Sequence, residues 1–299
     1  MKLQFRETSR TQPDPFIFFD EGKYYLYVTA IDGIEAYSAD GVFGQWEYEG
    51  VVTRLDGEGT QFWAPSIIKY EGKYYLYFSF ERGEARQFLN VTCADSPLGP
   101  FGHEKQLYPY FSIDSHVVKT DKGLFLWYAK NERKGERIGT RVFVDRLLDP
   151  YTPLGEPVEK IVPTFDEEIY TPSYSEDFRW HTIEGPFWFE HDGWQYVMYS
   201  GGCYQDDTYH IGYAAAKTTE QDLTQVEYTK ATDNGKFLPV LIKNEIEEGT
   251  GHHSVIRLGN SFYAIYHARD YDADKTSEAR TARVCQLLVA DGVILAKRI

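Results

Sequence analysis

An internal repeat constrains the fold of this 299-residue sequence more than any other feature. Phe16–Tyr27 reads FIFFDEGKYYLY and Ser66–Tyr77 reads SIIKYEGKYYLY, so the last seven residues of the two segments are identical. Weaker copies cover His116–Trp127, Phe187–Met198 and Ser254–Ile265. Repetition at such intervals is typical of folds built from copies of one supersecondary unit.

Each copy has the pattern of a β-hairpin, in which a short apolar strand and an aromatic-rich alternating strand flank a turn. The turn positions are Gly22, Gly72, Lys122, Gly193 and Asn260, at intervals of 50, 50, 71 and 67 residues. The 24 Tyr, 19 Phe and 6 Trp also favour strands. The sequence therefore predicts an all-β protein, a single five-bladed β-propeller domain over residues 1–299. A β-sandwich is the alternative, but it does not require five aligned copies.

The repeat also predicts which residues meet, because the innermost strands of a propeller surround one central channel. Eight residues before the turn positions stand Asp14, Ala64, Asp114, Gly185 and His252, and Glu184 precedes Gly185. We expect the three carboxylates and the histidine to converge at one end of the channel. A single Asp there would be interpreted as a turn cap. Three acids in register, with no Lys or Arg in that register, indicate a functional site.

Crowded carboxylates have pKa values that are pushed apart. One then stays ionised as a base while another stays protonated as an acid, which is the equipment for cleaving a glycosidic bond. Nucleophilic triads are disfavoured, since the sequence has no Gly-x-Ser-x-Gly motif and no Cys with an evident His partner.

Charge and composition exclude several classes of partner. The 31 basic and 46 acidic residues give a net charge of −15, which argues against nucleic acid and anionic membrane surfaces. A small neutral oligosaccharide suits such a surface. Cys93, Cys203 and Cys285 form no CxxC motif, and the first ten residues contain no apolar signal segment. These two features predict a cytoplasmic protein with reduced thiols.

Five motifs, one in each repeat and in this order, resemble glycoside hydrolase family 43. They are Pro13-Asp14-Pro15-Phe16, Phe62-Trp63-Ala64-Pro65-Ser66-Ile67, Ser112-Ile113-Asp114-Ser115-His116, Ile183-Glu184-Gly185-Pro186 and Gly249-Thr250-Gly251-His252-His253-Ser254. The resemblance implies a five-bladed propeller that inverts the anomeric centre. An inverting enzyme holds its two catalytic carboxyl groups about 6.5–9.5 Å apart, so we expect this separation between Asp14 and Glu184.

The resemblance also implies individual roles. Asp14 matches the general base, Glu184 the general acid, and Asp114 the third carboxylate, which tunes and positions the acid. His252 matches a histidine near the axis that contacts a calcium ion, mostly through water. Because Ca²⁺ prefers oxygen ligands, a structural ion at His252 would need waters around it. No cofactor is expected for the chemistry itself.

Three residues are candidates for contacting the sugar. Trp63 could stack on the sugar or pack between blades. Phe187 could form an apolar wall beside Glu184 or occupy a core position on its strand. Family members often have an arginine near Arg280 and Arg283 that reaches the sugar. Arg283 is the better match, with a salt bridge as its alternative.

These expectations define an exo-acting glycosidase that releases a terminal pentose, with α-L-arabinofuranose as the first choice. The sequence ends soon after the fifth repeat, whereas many β-xylosidases of the family have an additional β-sandwich domain. A β-D-xylosidase, alone or bifunctional, is the alternative, because the two pentoses present similar hydroxyls. An endo-arabinanase and a non-catalytic sugar-binding propeller also remain open.

Overall fold

The repeated hairpins form as the sequence predicts. The structure, a computed structural model, describes residues 1–55, 57–170, 179–274 and 278–299. Each of the five hairpins closes on a two-residue turn, with the pairs Asp20–Lys23, Tyr70–Lys73, Thr120–Gly123, His191–Trp194 and Leu258–Ser261. At Glu21 and Gly22 both φ angles are positive, 50° and 85°. This conformation matches the twist of the flanking strands.

Most strands lie in five sheets of four or more strands among the described residues, and a two-stranded ribbon accompanies them. The first sheet has β1 (Gln4–Phe5), β2 (Phe16–Asp20), β3 (Lys23–Val28), β4 (Glu35–Ala39) and β5 (Gln45–Val51). The second has β6 (Thr60–Tyr70), β7 (Lys73–Glu81), β8 (Phe88–Ala94) and β9 (Gly102–Gln106). The third has β10 (Ser112–Thr120), β11 (Gly123–Glu132), β12 (Gly139–Asp149), β13 (Thr152–Pro153), β14 (Val158–Ile161), β15 (Ile169–Tyr170) and β16 (Trp180–His181).

The remaining sheets follow in chain order. The fourth has β17 (Ile183–His191), β18 (Trp194–Gly201), β19 (His210–Lys217) and β20 (Thr229–Lys230). The ribbon is β21 (Thr232–Asp233) with β22 (Lys236–Phe237). The fifth sheet has β23 (Glu247–Leu258), β24 (Ser261–Asp270), β25 (Thr281–Ala290) and β26 (Val293–Arg298). Among the described residues the only helix is a 3₁₀ turn, Asp166–Glu168, and no helix is long and apolar enough to cross a membrane.

The first hairpin strands of the sheets contact one another in a ring. β2 contacts β6, β6 contacts β10, β10 contacts β17, β17 contacts β23, and β23 contacts β2. The chain start closes the ring, because the Leu3 amide donates to the Ala282 carbonyl of the last sheet while β1 pairs with β5 of the first. The all-β prediction is confirmed, and the arrangement is propeller-like.

The core lies between neighbouring sheets. Buried apolar side chains of the described residues form clusters that each join two consecutive sheets, and one cluster joins the last sheet to the first. Fully buried aromatic rings such as Trp46, Trp127 and Tyr266 supply much of this apolar area. The sheets therefore hold the starts of their inner strands rigidly around the ring axis.

Candidate active site

The five residues that the repeat places in register share one backbone conformation. Their φ angles are 53° at Asp14, 50° at Ala64, 60° at Asp114, 58° at Gly185 and 42° at His252. Positive φ is unfavourable for a residue with a Cβ, by about 1–3 kcal/mol. In the four later sheets the residue lies where the inner hairpin register shifts at a β-bulge, a feature that redirects side chains.

These strand starts line the main cavity, which has a volume of about 670 Å³. Of the residues predicted from sequence, Asp14, Trp63, Asp114, Glu184 and His252 line it. Its wall also includes Thr29, Ile31, Val51, Tyr204, Tyr209 and Arg280. Phe187 and Arg283 do not line it. The structure thus brings together the three carboxylates and the histidine, as the register predicts.

Asp14 is held as an anion by its neighbours. Arg280 Nη1 lies 3.2 Å from Oδ1, and the Thr29 hydroxyl donates to Oδ2 at 2.6 Å. Burial, the largest single effect, would raise the pKa of Asp14. The Arg280 guanidinium opposes it most strongly, and together with His252 and His267 it brings the pKa well below its usual range.

His267 orients Asp14 as a neutral ring. His267 Nδ1 lies 3.1 Å from the Asp14 backbone nitrogen and 3.2 Å from Asp14 Oδ1, and as a neutral ring it accepts the backbone N–H at this nitrogen. Burial lowers the pKa of His267 to about 4, which agrees with a neutral imidazole. We therefore assign the ionised state of Asp14 chiefly to Arg280 rather than to a charged histidine.

Glu184 and Asp114, unlike Asp14, lie in surroundings that favour the protonated carboxyl group. Burial raises the pKa of Glu184 to about 7; the Tyr209 hydrogen bond and Arg280 oppose this rise, and the charge of Asp14 adds to it. Tyr209 donates its hydroxyl proton to Glu184 Oε1 at 2.7 Å. Burial and the charges of Glu184 and Asp14 raise the pKa of Asp114 well above its usual value. Asp114 Oδ2 accepts from the Gly185 amide at 2.9 Å, which joins it to the residue after Glu184.

Arg280, not Arg283, reaches the carboxylates. Its backbone carbonyl accepts from the Gln12 amide, two residues before Asp14, and its guanidinium lies 4.9 Å from the Tyr204 ring centre. Arg283 lies within β25, where its guanidinium pairs with Glu247 at 3.1 Å and Asp270 at 2.8 Å. The sequence-based choice of Arg283 is therefore corrected. The two arginines are three positions apart, so in an extended chain they point to opposite faces.

Phe187 belongs to the core rather than to the main cavity. It is 8% exposed and its ring stacks on His116 with centroids 4.0 Å apart. It lines only a small cavity of about 10 Å³ that also borders Asp14, Asp114 and His252. Trp63 lies on the main cavity wall, and its indole N–H donates to Gln61 Oε1 at 3.3 Å. The core alternative thus applies to Phe187, and Trp63 is exposed to a ligand.

His252 lies between two of the carboxylates. Its Nδ1 is 3.6 Å from Asp14 Oδ1 and 3.8 Å from Asp114 Oδ2, and burial lowers its pKa. Among the described residues no group of three or more His, Cys, Asp or Glu side chains is arranged to hold a metal ion. Since Ca²⁺ requires about six to eight oxygen ligands, these residues do not form a direct calcium site.

Sequence patterns did not predict Tyr209, Thr29 or Tyr204. Tyr209 precedes β19 and Tyr204 lies in the loop after β18, so neither follows the repeat register. Thr29 directly follows β3, the second strand of the first hairpin, and its hydroxyl donates to Asp14 and accepts from the Ala64 amide at 2.8 Å. The only signal in the sequence is its position, two residues after the last residue of the first repeat.

An ionised carboxylate, two protonatable carboxyl groups and an exposed Trp in one cavity define the site of a glycosidase. The sequence agrees: the profile of glycosyl hydrolases family 43 matches residues 8–294, and the chain belongs to this family. A solved structure, described as a thermostable family-43 glycoside hydrolase, is 29% identical, with a TM-score of 0.80 over 96% of this chain and 92% of that one.

Two curated relatives are named extracellular exo-α-(1→5)-L-arabinofuranosidase. The one from Streptomyces chartreusis is 25% identical over 281 residues, which cover 88% of this chain and 81% of that protein. The one from Streptomyces avermitilis is 28% identical over 225 residues, covering 71% of this chain but only 44% of that protein.

The location of these relatives contradicts the predicted cytoplasmic location, which is therefore wrong. The prediction used the first residues of the chain as a test for a signal segment. In the structure these residues belong to the fold, because Leu3 is buried and the Met1 carbonyl accepts from the Val284 amide. Residues with a structural role carry no information on export.

Proposed function

We propose that this protein is an inverting, exo-acting glycosidase that releases terminal α-L-arabinofuranose from arabinan- or arabinoxylan-derived oligosaccharides. One observation carries the proposal. Asp14 and Glu184 line the same cavity, and the pKa of Asp14 is lowered, which favours its ionised form, while that of Glu184 is raised, which favours its protonated form. The names of the two Streptomyces relatives support the choice of sugar and of exo action.

In this mechanism Asp14 is the general base. Its ionised carboxylate takes a proton from water as the water attacks the anomeric carbon from the face opposite the leaving group. Arg280 and Thr29 hold the Asp14 carboxylate in place, and the charge of Arg280 favours its ionised form. Because the pKa of Asp14 is low and that of Glu184 is about 7, Asp14 is ionised while Glu184 is protonated at pH values between the two.

Glu184 is the general acid. Tyr209 occupies Oε1, so the transferable proton resides on Oε2 and passes to the glycosidic oxygen as the bond breaks. Asp114 positions this acid through the Gly185 amide, which donates to Asp114 Oδ2 at 2.9 Å. Trp63 offers an aromatic face to the sugar ring.

The test compares 4-nitrophenyl α-L-arabinofuranoside with 4-nitrophenyl β-D-xylopyranoside for the wild type and Glu184→Gln. We expect the arabinoside to be preferred. The substitution should slow cleavage of oligosaccharides about 10²–10⁴-fold, and slow substrates with good leaving groups far less. Dominant xyloside turnover would identify a β-D-xylosidase instead. Binding of arabino-oligosaccharides without turnover would identify a sugar-binding protein. The first-formed anomer, seen by proton NMR, tests inversion.

We further propose that the five larger sheets are the blades of one five-bladed propeller domain over residues 1–299. The ring of contacts between their inner strands supports this count. A calcium ion at His252 would have to be surrounded by water, with a structural role only, because the direct ligands are too few.

A further inference from the structure

The guanidinium of Arg280 is bound by two carboxylates, Asp14 and Glu278, which both line the main cavity. Its Nη1 faces Asp14 Oδ1 at 3.2 Å, whereas its Nη2 donates to Glu278 Oε2 at 2.7 Å. Its Nε also donates to Glu278, at 3.0 Å from Oε1 and 3.1 Å from Oε2. Hydrogen bonds between such ions are typically about 2.7–2.9 Å long, so Arg280 is bound more closely to Glu278 than to Asp14.

Glu278 contacts Arg280 through the main chain as well as the side chain. Its Oε1 accepts from the Arg280 backbone N–H at 2.9 Å, so one carboxylate holds both ends of the residue two positions later. Burial would raise the pKa of Glu278, but the hydrogen bonds and the charge of Arg280 bring it below its usual value. Glu278 is therefore ionised, and its contact with Arg280 is an ion pair.

This ion pair decides which edge of the guanidinium faces the proposed base. An unrestrained guanidinium can bind a carboxylate with two parallel N–H groups, one to each oxygen. Glu278 occupies the edge formed by Nε and Nη2, so Asp14 is approached by Nη1 and at one oxygen. The other oxygen, Oδ2, accepts from the Thr29 hydroxyl at 2.6 Å. A two-pronged contact would compete with Thr29, and with the attacking water, for the acceptor sites of Asp14.

The single contact also preserves the basicity of Asp14. A general base must be ionised and must still accept a proton, and a second N–H from Arg280 would favour the ionised form further and weaken the base. The rings of His252 and His267 also face Asp14, with Nδ1 3.6 Å and 3.2 Å from Oδ1, but burial lowers the pKa of both. Both rings are then neutral, so the position of Arg280 governs the strength of the base.

We propose that Glu278 is a positioning residue, which holds Arg280 edge-on so that the guanidinium gives Asp14 one hydrogen bond and not a two-pronged contact. This inference rests on the proposed function, in which Asp14 is the general base. The role requires two acceptor oxygens on one side chain, because Nε and Nη2 are held together.

The experiment measures kcat and KM of Glu278→Gln on whichever of the two 4-nitrophenyl pentosides the wild type prefers. Gln has the same shape but only one acceptor oxygen, so it cannot hold Nε and Nη2 together. We expect kcat to fall about tenfold with KM nearly unchanged, because the base acts in the transition state. Glu47→Gln is the matched control. Glu47 also pairs with an arginine, and its side chain is 44% exposed against 43% for Glu278, but it does not line the cavity.

A double variant shows whether Glu278 acts through Arg280. We expect Glu278→Gln/Arg280→Met to have the same kcat as Arg280→Met, because without the guanidinium Glu278 has nothing to restrain. Independent losses that multiply in the double variant would overturn the proposal. So would an unchanged kcat in Glu278→Gln with an active wild type.

The pH profile separates restraint from simple support. If Glu278 restrains Arg280, the acid limb of kcat/KM in Glu278→Gln stays at or below the wild-type pH, because the released guanidinium favours ionised Asp14 more strongly. An acid limb that moves upward would show that Glu278 brings Arg280 to Asp14, and would overturn the restraint. A wild type that cleaves neither pentoside would overturn the proposed function itself, and this inference with it.

Discussion

The Tyr209 hydroxyl donates to Glu184 Oε1 at 2.7 Å from a ring that is almost completely buried. The ring also stacks on His267, with centroids 5.7 Å apart and planes 10° apart, and His267 accepts from the Asp14 amide. One packed side chain therefore contacts the proposed acid and the histidine that orients the proposed base. The relative position of the two carboxyl groups depends on this contact.

Tyr209→Phe tests the hydrogen bond. The bond lowers the pKa of Glu184, so its loss raises that pKa and extends the protonated form to higher pH. We expect the alkaline limb of the kcat/KM profile to move from near pH 7 upward by about 1 unit, while the acid limb stays in place. Tyr213→Phe is the control, because Tyr213 lies on β19, the strand that follows Tyr209, but does not line the cavity. An alkaline limb that does not move in Tyr209→Phe would contradict this assignment.

Arg280→Met tests the other limb. Burial raises the pKa of Asp14 and Arg280 opposes it, so removing the guanidinium raises the pH below which Asp14 becomes protonated. Arg280 also lowers the pKa of Glu184, so the alkaline limb should move upward too. We expect an acid limb shifted by about 1–3 pH units, with Arg280→Lys retaining most of the wild-type profile. Identical profiles for Met and Lys would show that the charge is not responsible.

The contrast between Arg280 and Tyr209 shows what sequence can predict here. The two-residue turns fix the register of each hairpin, so counting back from them located Asp14, Asp114, Glu184 and His252. Tyr209 and Tyr204 lie in connections of variable length, where no periodicity relates them to the axis. Arg280 precedes β25, and only the folded structure shows that it faces Asp14, through its backbone contact with Gln12 and its guanidinium 3.2 Å from Asp14 Oδ1.

Phe187 shows a second limit. Glu184, three residues earlier on the same strand, lines the cavity, but the β-bulge between Glu184 and Phe187 changes the alternation of side chains. The regular alternation of side chains along a strand does not predict which face of the sheet a residue beyond such a bulge occupies. The sequence therefore predicted the cavity-lining position of Glu184 but not the core position of Phe187, three residues further along the strand.

Gly251→Ala tests whether the packing of the Tyr209 ring against Gly251 holds the Tyr209 hydroxyl at Glu184. A Cβ at Gly251 would lie 1.9 Å from Tyr209 Cε1, so the ring would have to move away from Glu184. We expect the same alkaline shift as in Tyr209→Phe and a loss of stability of about 1–3 kcal/mol from overpacking. Gly41→Ala is the control, because nothing lies within 4 Å of its Cβ position. Chemical denaturation and a pH profile measure both effects.

A chelator tests the proposed structural calcium ion. If an ion with a water shell contacts His252, added calcium should raise the melting temperature by a few degrees over the chelated protein. His252→Gln should abolish this difference. His191→Gln should preserve it, because His191 lies at the turn end of β17, the inner strand of the fourth sheet, away from the strand starts that line the cavity. Equal melting temperatures with calcium and with chelator would remove the ion from the proposal.

Arg269→Met tests whether Arg269 holds the loop that places Tyr204 in the cavity wall. The buried guanidinium donates to the Tyr204 carbonyl at 2.5 Å and to the Asp206 carbonyl at 2.7 Å, and lies 3.7 Å from Glu248. Removing the guanidinium takes away one partner of a buried ion pair and two donors to loop carbonyls, and breaking a buried pair typically costs about 3–5 kcal/mol. We expect that loss in urea denaturation, partial recovery in the Arg269→Met/Glu248→Gln double variant, and a raised KM in both.

The control for Arg269 is an ion pair of the same kind on the surface. Arg6 pairs with Glu47 at 2.6 Å, but their side chains are 69% and 44% exposed. Solvent screens such a pair, so Arg6→Met should leave the urea midpoint and KM unchanged. If Arg6→Met and Arg269→Met had equal effects, burial would not explain the role of Arg269. If Arg269→Met lost stability without any change in KM, Arg269 would support the fold but not the cavity wall. The combined result therefore separates a general contribution to folding from the placement of Tyr204 beside Arg280.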